Sequence, residues 1–191
     1  RDRDVTGVQT CALPIFSIVV IFFGSGILLY NGMISDNEKI DSMWSQVDNQ
    51  LQRRADLIPN LVETTKGYAK QEKEIFTQVA EARSKLAGAS TIGEKAQADA
   101  ELSSALSRLL VVVERYPELK SDANFRQLAD ELAGTENRLA TARRDYNEAV
   151  RSFNTRIKKF PGSVVANMAG FGAREYFEAE SGAREVPQVS F

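Results

Sequence analysis

The chain has 191 residues, of which 43% are hydrophobic, and its formal net charge is −2, so it is long enough for one domain and a short additional segment. This nearly balanced charge offers no basic face to phosphate groups, and we therefore expect no nucleic-acid partner. The chain has no histidine and one cysteine, Cys11, which excludes both a Cys/His metal site and a disulfide framework within one chain.

The first residues do not look like part of a folded domain. Residues 5–15 read VTGVQTCALPI, which resembles the translation of a sequencing-library adapter in one reading frame. Because they show no helical or strand period, we interpret residues 1–15 as a non-native, adapter-derived segment and set them aside. A native terminus is the alternative interpretation.

Residues 16–34, FSIVVIFFGSGILLYNGMI, carry no charge. A bilayer crossing needs about 20 apolar residues, and Tyr30 lies near the end, where an amphipathic ring suits the membrane interface. The segment therefore predicts a single transmembrane anchor. A cleavable signal peptide and a buried soluble helix are the alternatives, but no small-x-small cleavage site follows and no face is polar.

An amphipathic helix is predicted over residues 36–86, because apolar residues recur there in steps of three, four and seven. Its stripe consists of Ile40, Trp44, Val47, Leu51, Ile58, Leu61, Val62, Tyr68, Ile75, Phe76, Val79 and Leu86. Pro59 interrupts the pattern, since it lacks the N–H that would bond to Ala55. We predict a kink there, although Pro59 could instead start a second helix capped by Asp56. Residues 88–93 have the composition of a loop.

Two further helices are predicted. Residues 94–116 carry an apolar stripe and end before Pro117, and after a turn either Asp122 or Asn124 can cap the next helix. That third helix has a heptad-like seam, typical of long antiparallel partners rather than of a pocket, and a Pro-Gly pair ends it. The seam residues are Phe125, Leu128, Leu132, Thr135, Leu139, Ala142, Tyr146, Ala149, Phe153, Ile157 and Phe160.

These elements predict an all-α protein, in which an N-terminal transmembrane helix precedes an antiparallel up-and-down bundle of three or four long helices over residues 36–171. Within that range, residues 164–171 suit one or two helical turns. The tail, residues 172–191, keeps several apolar side chains, whereas an unanchored tail is normally polar. We therefore predict that the tail packs on the bundle, including the residues beyond Val186.

The candidate interaction face consists of Arg53, Arg54 and Asp56. On a helix surface Arg53 can pair with Asp56, three residues later. Such a face suits an acidic protein partner or lipid headgroups. The alternative is a solvated face whose salt bridge contributes at most about 1 kcal/mol.

No catalytic, cofactor-binding or metal-binding residue is predicted. A di-metal bundle needs Glu-x-x-His pairs, and the sequence has neither a nucleophile elbow nor a phosphate-binding glycine loop. The acids that a carboxylate hydrolase would use lie among Lys and Arg, as on solvated faces: Glu72, Glu74, Glu81, Glu114, Glu131 and Glu136. We expect no enzyme activity, no cofactor and no small-molecule substrate.

Three phrases resemble the LemA family: QLQRRADLIPNLVETTKGYAKQE at 50–72, LSRLLVVVERYPELKSDANFRQLADELAGTENRLATARRDYNEAV at 106–150, and FNTRIKKFPGSVVANMAGF at 153–171. The closing VPQVSF is similar too, whereas Gln71 stands where many members have histidine. The resemblance implies one membrane anchor, an antiparallel helical bundle and no established enzyme activity or cofactor. Within the family, some relatives are associated with membrane shaping, as in magnetosome membranes, and others with membrane peptidase genes.

We therefore expect a single-pass protein of the bacterial cell membrane that acts as a helical scaffold or membrane-organising interaction protein. Its partners would be the lipid bilayer and either another protein or a second copy of itself. An adaptor for a membrane enzyme such as a peptidase is the alternative. Flanking charges leave the orientation open, and a cytoplasmic bundle is the working expectation.

Overall fold

The structure is a computed structural model that describes residues 5–178, with side chains described for Phe16 and for residues 23–178. These residues form six α-helices and no strand, so the prediction of an all-α protein is confirmed. The helices are α1 (Val5–Tyr68), α2 (Lys73–Gly88), α3 (Ile92–Val113), α4 (Pro117–Ser121), α5 (Ala123–Lys158) and α6 (Gly162–Ala169).

The chain divides into two compact units, and both α1 and α5 contribute to each of them. Unit 1 contains the described residues up to Asp41 together with Arg151–Arg174, which include α6. Unit 2 contains Ser42–Val150, which include α2, α3 and α4, and the described residues from Glu175 onward.

Unit 2 is an up-and-down helical bundle, as its cross-helix contacts show. Residues later in α1 contact residues earlier in α5, so these two helices are antiparallel, and the same holds for α2 and α3. Residues later in α1 contact residues later in α3, so these two helices are parallel. The pairs are Trp44–Tyr146 and Tyr68–Asp122 for α1 with α5, Gln78–Arg108 and Lys85–Glu101 for α2 with α3, and Asp48–Lys95 and Arg54–Asp99 for α1 with α3.

Two helix starts in unit 2 are fixed by side-chain caps. Thr91 and Glu94 form a capping box at the start of α3, in which each side chain accepts from the other residue's backbone N–H. Asp122 accepts a 2.9 Å hydrogen bond from the backbone N–H of Phe125, which confirms Asp122 as a cap of α5. This backbone donor is also the main reason that the pKa of Asp122 lies below its usual value.

The predicted helix over residues 36–86 is wrong in one respect, because the chain leaves the helix at residues 69–72 and divides it into α1 and α2. Ala69 is fully buried at this turn, where its carbonyl accepts from the backbone N–H of Glu72 at 3.1 Å. Residues 70–74 read KQEKE, and all five are residue types that favour a helix. Tertiary packing decides the outcome, because the turn brings Phe76 and Val79 into the core.

Pro59 does not end α1, which continues as a helix to Tyr68, so the alternative in which a second helix starts at Pro59 is wrong. The carbonyl of Ala55 cannot receive the usual bond from residue 59, because proline has no N–H. The Arg83 side chain of α2 supplies the missing donor, with its Nε 2.8 Å from the Ala55 carbonyl oxygen. The proline therefore leaves the Ala55 carbonyl free to accept a hydrogen bond that connects α1 to α2.

We predict that Arg83→Met lowers the free energy of unfolding by about 1 kcal/mol in the wild-type chain, because the Ala55 carbonyl loses its donor. In a Pro59→Ala background the same substitution should cost less, since the new backbone N–H at position 59 replaces the donor. Urea unfolding of the four proteins in this double-mutant cycle measures the coupling. Strictly additive effects would contradict the assigned role of Arg83.

Three further boundaries differ from the predictions. The turn before the third helix contains a short helix of its own, α4, whose first residue is Pro117. The seam of α5 stops short of Phe160, which is 81% exposed because it lies beyond the last helical residue. Finally, α1 already begins at Val5, inside the segment that we set aside because it lacks a helical period.

The described part of the tail is held by side chains of α5. In unit 2 the Asn147 amide accepts from the backbone N–H of Phe177 at 2.9 Å and donates to the Phe177 carbonyl at 3.2 Å. The Phe177 ring is buried, 6.0 Å from Trp44 and 5.0 Å from the Arg143 guanidinium. In unit 1 Asn154 pairs in the same way with Arg174, at 2.8 Å for both bonds. The predicted packing of residues 179–191 lies outside the described residues.

Within residues 5–178, no helix combines the length and the apolar character that a membrane crossing requires.

Candidate functional site

The structure separates the three residues of the predicted interaction face. Arg53 and Asp56 are exposed, whereas Arg54 is buried. Arg54 lies three residues after Leu51 and four before Ile58, so its side chain falls on the buried stripe of α1. The prediction is therefore wrong for Arg54, which does not belong to an exposed face.

Arg54 instead belongs to an ion cluster inside unit 2, where α1, α3 and α5 meet. Its guanidinium lies 2.6 Å from the carboxylate of Asp99 on α3 and 2.8 Å from that of Glu136 on α5. Arg143 of α5 also forms a salt bridge to Asp99. Asp99 is buried and is the only acid in the cluster that binds both arginines within the described part of the chain.

The electrostatics of the cluster indicate a tie between helices rather than a reactive site. Burial raises the pKa of Asp99 above its usual value, although Arg54 and Arg143 oppose this effect. The Nε atoms of both arginines have no hydrogen-bond partner among the described residues, which adds to the desolvation cost that a buried ion cluster carries. Glu136, one of the six glutamates considered above, serves here as a counter-ion.

The sequence contains one sign of this cluster, which is a charged residue on an apolar stripe. Asp99 continues the apolar stripe of α3, three residues after Ala96 and three before Leu102, and both neighbours are buried. A charged residue on an apolar stripe must find a buried partner or a route to solvent. Arg54 likewise lies on the apolar stripe of α1. Nothing in the sequence pairs it with Asp99, because the two residues are 45 positions apart.

Arg53 lies in a different environment, an exposed groove between α1 and α5 that encloses about 650 Å³. The groove is lined mainly by charged residues of both signs, which include Arg126, Asp130, Glu131 and Arg138. Asp56 does not line it. A surface of this composition can bind a polar protein surface through several weak ion pairs.

Unit 1 carries a surface of a different kind, which we call the apolar surface. It consists of Phe23, Ile27 and Leu28 of α1, Val164 and Met168 of α6, and Phe160 between α5 and α6, all of which are exposed. A groove of about 450 Å³ lies between the α1 part and the α6 part of this surface. Contiguous exposed apolar patches mark protein or membrane contact sites in soluble domains.

Within residues 5–178, no group of three or more His, Cys, Asp or Glu side chains is arranged to hold a metal ion.

Comparison with known proteins relates the chain to two named groups. A family model described as the LemA family matches residues 43–191. Magnetosome protein MamQ 2 of Paramagnetospirillum magneticum is 30% identical over 207 residues, covering 94% of this chain and 76% of the relative. Magnetosome protein MamQ of Magnetospirillum gryphiswaldense is 27% identical over 205 residues, and Protein LemA of Metamycoplasma hominis is 27% identical over 182 residues. The last two cover 94% and 89% of this chain, and 75% and 82% of their own lengths.

Proposed function

Since the chain belongs to the LemA family, we propose that it is a non-catalytic helical scaffold or membrane-organising protein, attached to a bacterial membrane by residues 16–34. In this proposal unit 1 contacts the lipid and unit 2 presents its helical bundle to a protein partner or to a second copy.

The apolar surface of unit 1 is the observation that carries the proposal. Leu28 is 74% exposed, and Phe16, Phe23 and Ile27 on the same uncharged segment are each at least 60% exposed. Burying such side chains yields about 25 cal/mol for each Å² removed from water. A lipid environment would provide this gain at these four exposed side chains, whereas in water they stay hydrated.

The family membership and the names of the relatives support this proposal. Two of them are named as magnetosome proteins and one as LemA, and none carries the name of an enzyme. The ion cluster of unit 2 supports only the non-catalytic part of the proposal, because its two arginines and two carboxylates already neutralise one another.

Carbonate washing of membranes from cells that express the full chain tests the attachment. We expect the wild-type protein to stay in the membrane pellet and an Ile27→Lys, Leu28→Lys variant to move largely to the supernatant. Charged side chains are costly in the hydrocarbon core, by about 2.5–3.5 kcal/mol each at its centre on insertion scales. Val111→Lys is the matched control, since Val111 is an exposed apolar residue of α3 in unit 2.

Release of the wild-type protein by carbonate would overturn the proposal. Equal release of the Val111→Lys control would mean that general destabilisation, rather than lost lipid contact, explains the result. Protease digestion of the membranes before the carbonate wash, as intact and as permeabilised vesicles, reports the side on which unit 2 lies.

The charged groove around Arg53 favours a second candidate function, an adaptor for a membrane enzyme such as a peptidase. Its mixed charges suit a polar protein surface better than a uniformly anionic membrane. A photo-crosslinker at Arg53 in intact cells distinguishes the two candidates. Crosslinks between copies of this chain favour the scaffold, and crosslinks to one enzyme favour the adaptor.

A further inference from the structure

The second half of the apolar surface, on α6, has a distinct organisation. Gly162 and Ala166 are buried, four residues apart on one face of the helix. Phe160, Val164 and Met168 follow the same four-residue spacing and are exposed, with Phe160 at 81% and Met168 at 85%. Residues 160–173 contain no charged side chain. The helix therefore presents apolar side chains both to unit 1 and to its surroundings.

The exposed row of α6 is continuous with the apolar segment of α1. Phe23, Ile27 and Tyr30 line one wall of the groove in unit 1, and Val164 and Met168 line the opposite wall. Tyr30 also lies 6.0 Å from Phe171, which follows α6. An environment that covers the exposed side of α1 at this level therefore also reaches α6.

Charge at the edge of this surface selects the type of occupant. Lys158 and Lys159 are exposed and directly precede Phe160. The neighbouring Arg156 is also exposed, but its charge is paired with Asp36 at 2.7 Å, so the two lysines carry the positive charge next to Phe160. Lysines beside an aromatic and aliphatic row are typical of segments that lie at the headgroup level of anionic membranes.

We infer that α6 and Phe160 form a second membrane contact, which lies in the interface of a bilayer of anionic phospholipid. Phe160, Val164 and Met168 enter the boundary between headgroups and acyl chains, and Lys158 and Lys159 bind the phosphates. This inference rests on the proposed membrane attachment and adds to it a lipid preference and a fixed depth for unit 1. Anionic lipid is favoured over a protein partner because the lysines and the apolar row match the two layers of a membrane interface.

Fluorescence of the full chain in vesicles tests this contact. An environment-sensitive fluorophore is attached to Met168→Cys in a Cys11→Ser background, and the control carries it at Val111→Cys, another exposed apolar position. The vesicles contain phosphatidylcholine with or without phosphatidylglycerol. We expect a blue shift at position 168 and quenching by lipids brominated near the headgroup, but neither effect at position 111.

The lysines supply the second arm of the test. Lys158→Gln with Lys159→Gln, or omission of phosphatidylglycerol, should cause a loss of quenching at position 168, while flotation of the protein with the vesicles is unchanged. If the label at 168 reports water although the protein floats, the second contact is wrong and the anchor stands. If the protein does not float at all, the proposed function fails as well. A blue shift that depends on protein concentration and is insensitive to brominated lipid would assign the surface to a second copy of the chain instead.

Discussion

Leu139→Ala should lower the free energy of unfolding by about 2–5 kcal/mol, as expected when a fully buried leucine is truncated. Leu139 is completely buried on α5 in unit 2, between Thr135 and Tyr146 of the same helix, which are also completely buried. The loss combines the transfer free energy of the removed atoms with the cost of the remaining cavity. Urea unfolding followed by circular dichroism measures the change in midpoint and slope.

Leu110→Ala is the matched control, because it removes the same atoms from a leucine of α3 that is 49% exposed. We expect it to cost about 1 kcal/mol or less, since surface substitutions seldom have larger effects. If both variants unfold at the wild-type midpoint, the heptad register assigned to α5 is wrong. A cost at position 110 that equals that at position 139 would mean that the exposed face of α3 is covered in solution.

Periodicity predicts the helices well where one face of a long segment meets a continuous partner. On α5 five of the predicted seam residues are buried and five are half-buried: Phe125, Thr135, Leu139, Tyr146 and Phe153 are buried, and Leu128, Leu132, Ala142, Ala149 and Ile157 are half-buried. In the predicted stripe of α1 from Ile40 to Leu61, every residue is buried except Trp44, which is half-buried. In both helices the three- and four-residue steps follow directly from helix geometry, so local sequence is sufficient.

The turn at residues 69–72 could not be predicted in this way, because its cause lies in contacts with distant residues. The Lys, Gln and Glu residues at 70–74 are good helix formers, and the apolar stripe resumes in register after them. The helix breaks because packing α2 against α1 lowers the free energy of the fold. One contribution is the 2.8 Å hydrogen bond from Arg83 to the Ala55 carbonyl. That bond connects residues 28 positions apart, and a local pattern contains no information about it.

The candidate sites illustrate the same limit. A row of charges such as Arg53, Arg54 and Asp56 looks like one surface, but the period of the helix places Arg54 inside and the other two outside. Reading the charges against the stripe, rather than as a group, would have separated them. The partners Asp99 and Arg143 could not have been assigned, because that step requires knowing that α1 and α3 are parallel while α5 is antiparallel to both.

Gly162→Ala should destabilise unit 1 by about 1–3 kcal/mol, the usual cost of overpacking. A Cβ atom at this position would lie 2.4 Å from the carbonyl oxygen of Arg156 and 3.2 Å from the end of Met33. The flexible Met33 can move, but the Arg156 carbonyl belongs to the backbone of the last turns of α5 and cannot move without disturbing that helix. Thermal unfolding, with far-UV circular dichroism as the signal, measures the loss.

Gly67→Ala provides the control for this substitution, because a Cβ at position 67 of α1 meets nothing within 4 Å. There alanine should be neutral or stabilise the helix by about 0.5–1 kcal/mol. The two substitutions add the same methyl group, so opposite signs isolate the contact between α6 and α5 as the cause.

Since Gly162 fixes where α6 starts, its alanine variant should also weaken lipid quenching at Met168, whereas Gly67→Ala should not. Wild-type stability of Gly162→Ala would show that α6 lies farther from α5 than the structure has it, and the membrane contact would then need another support.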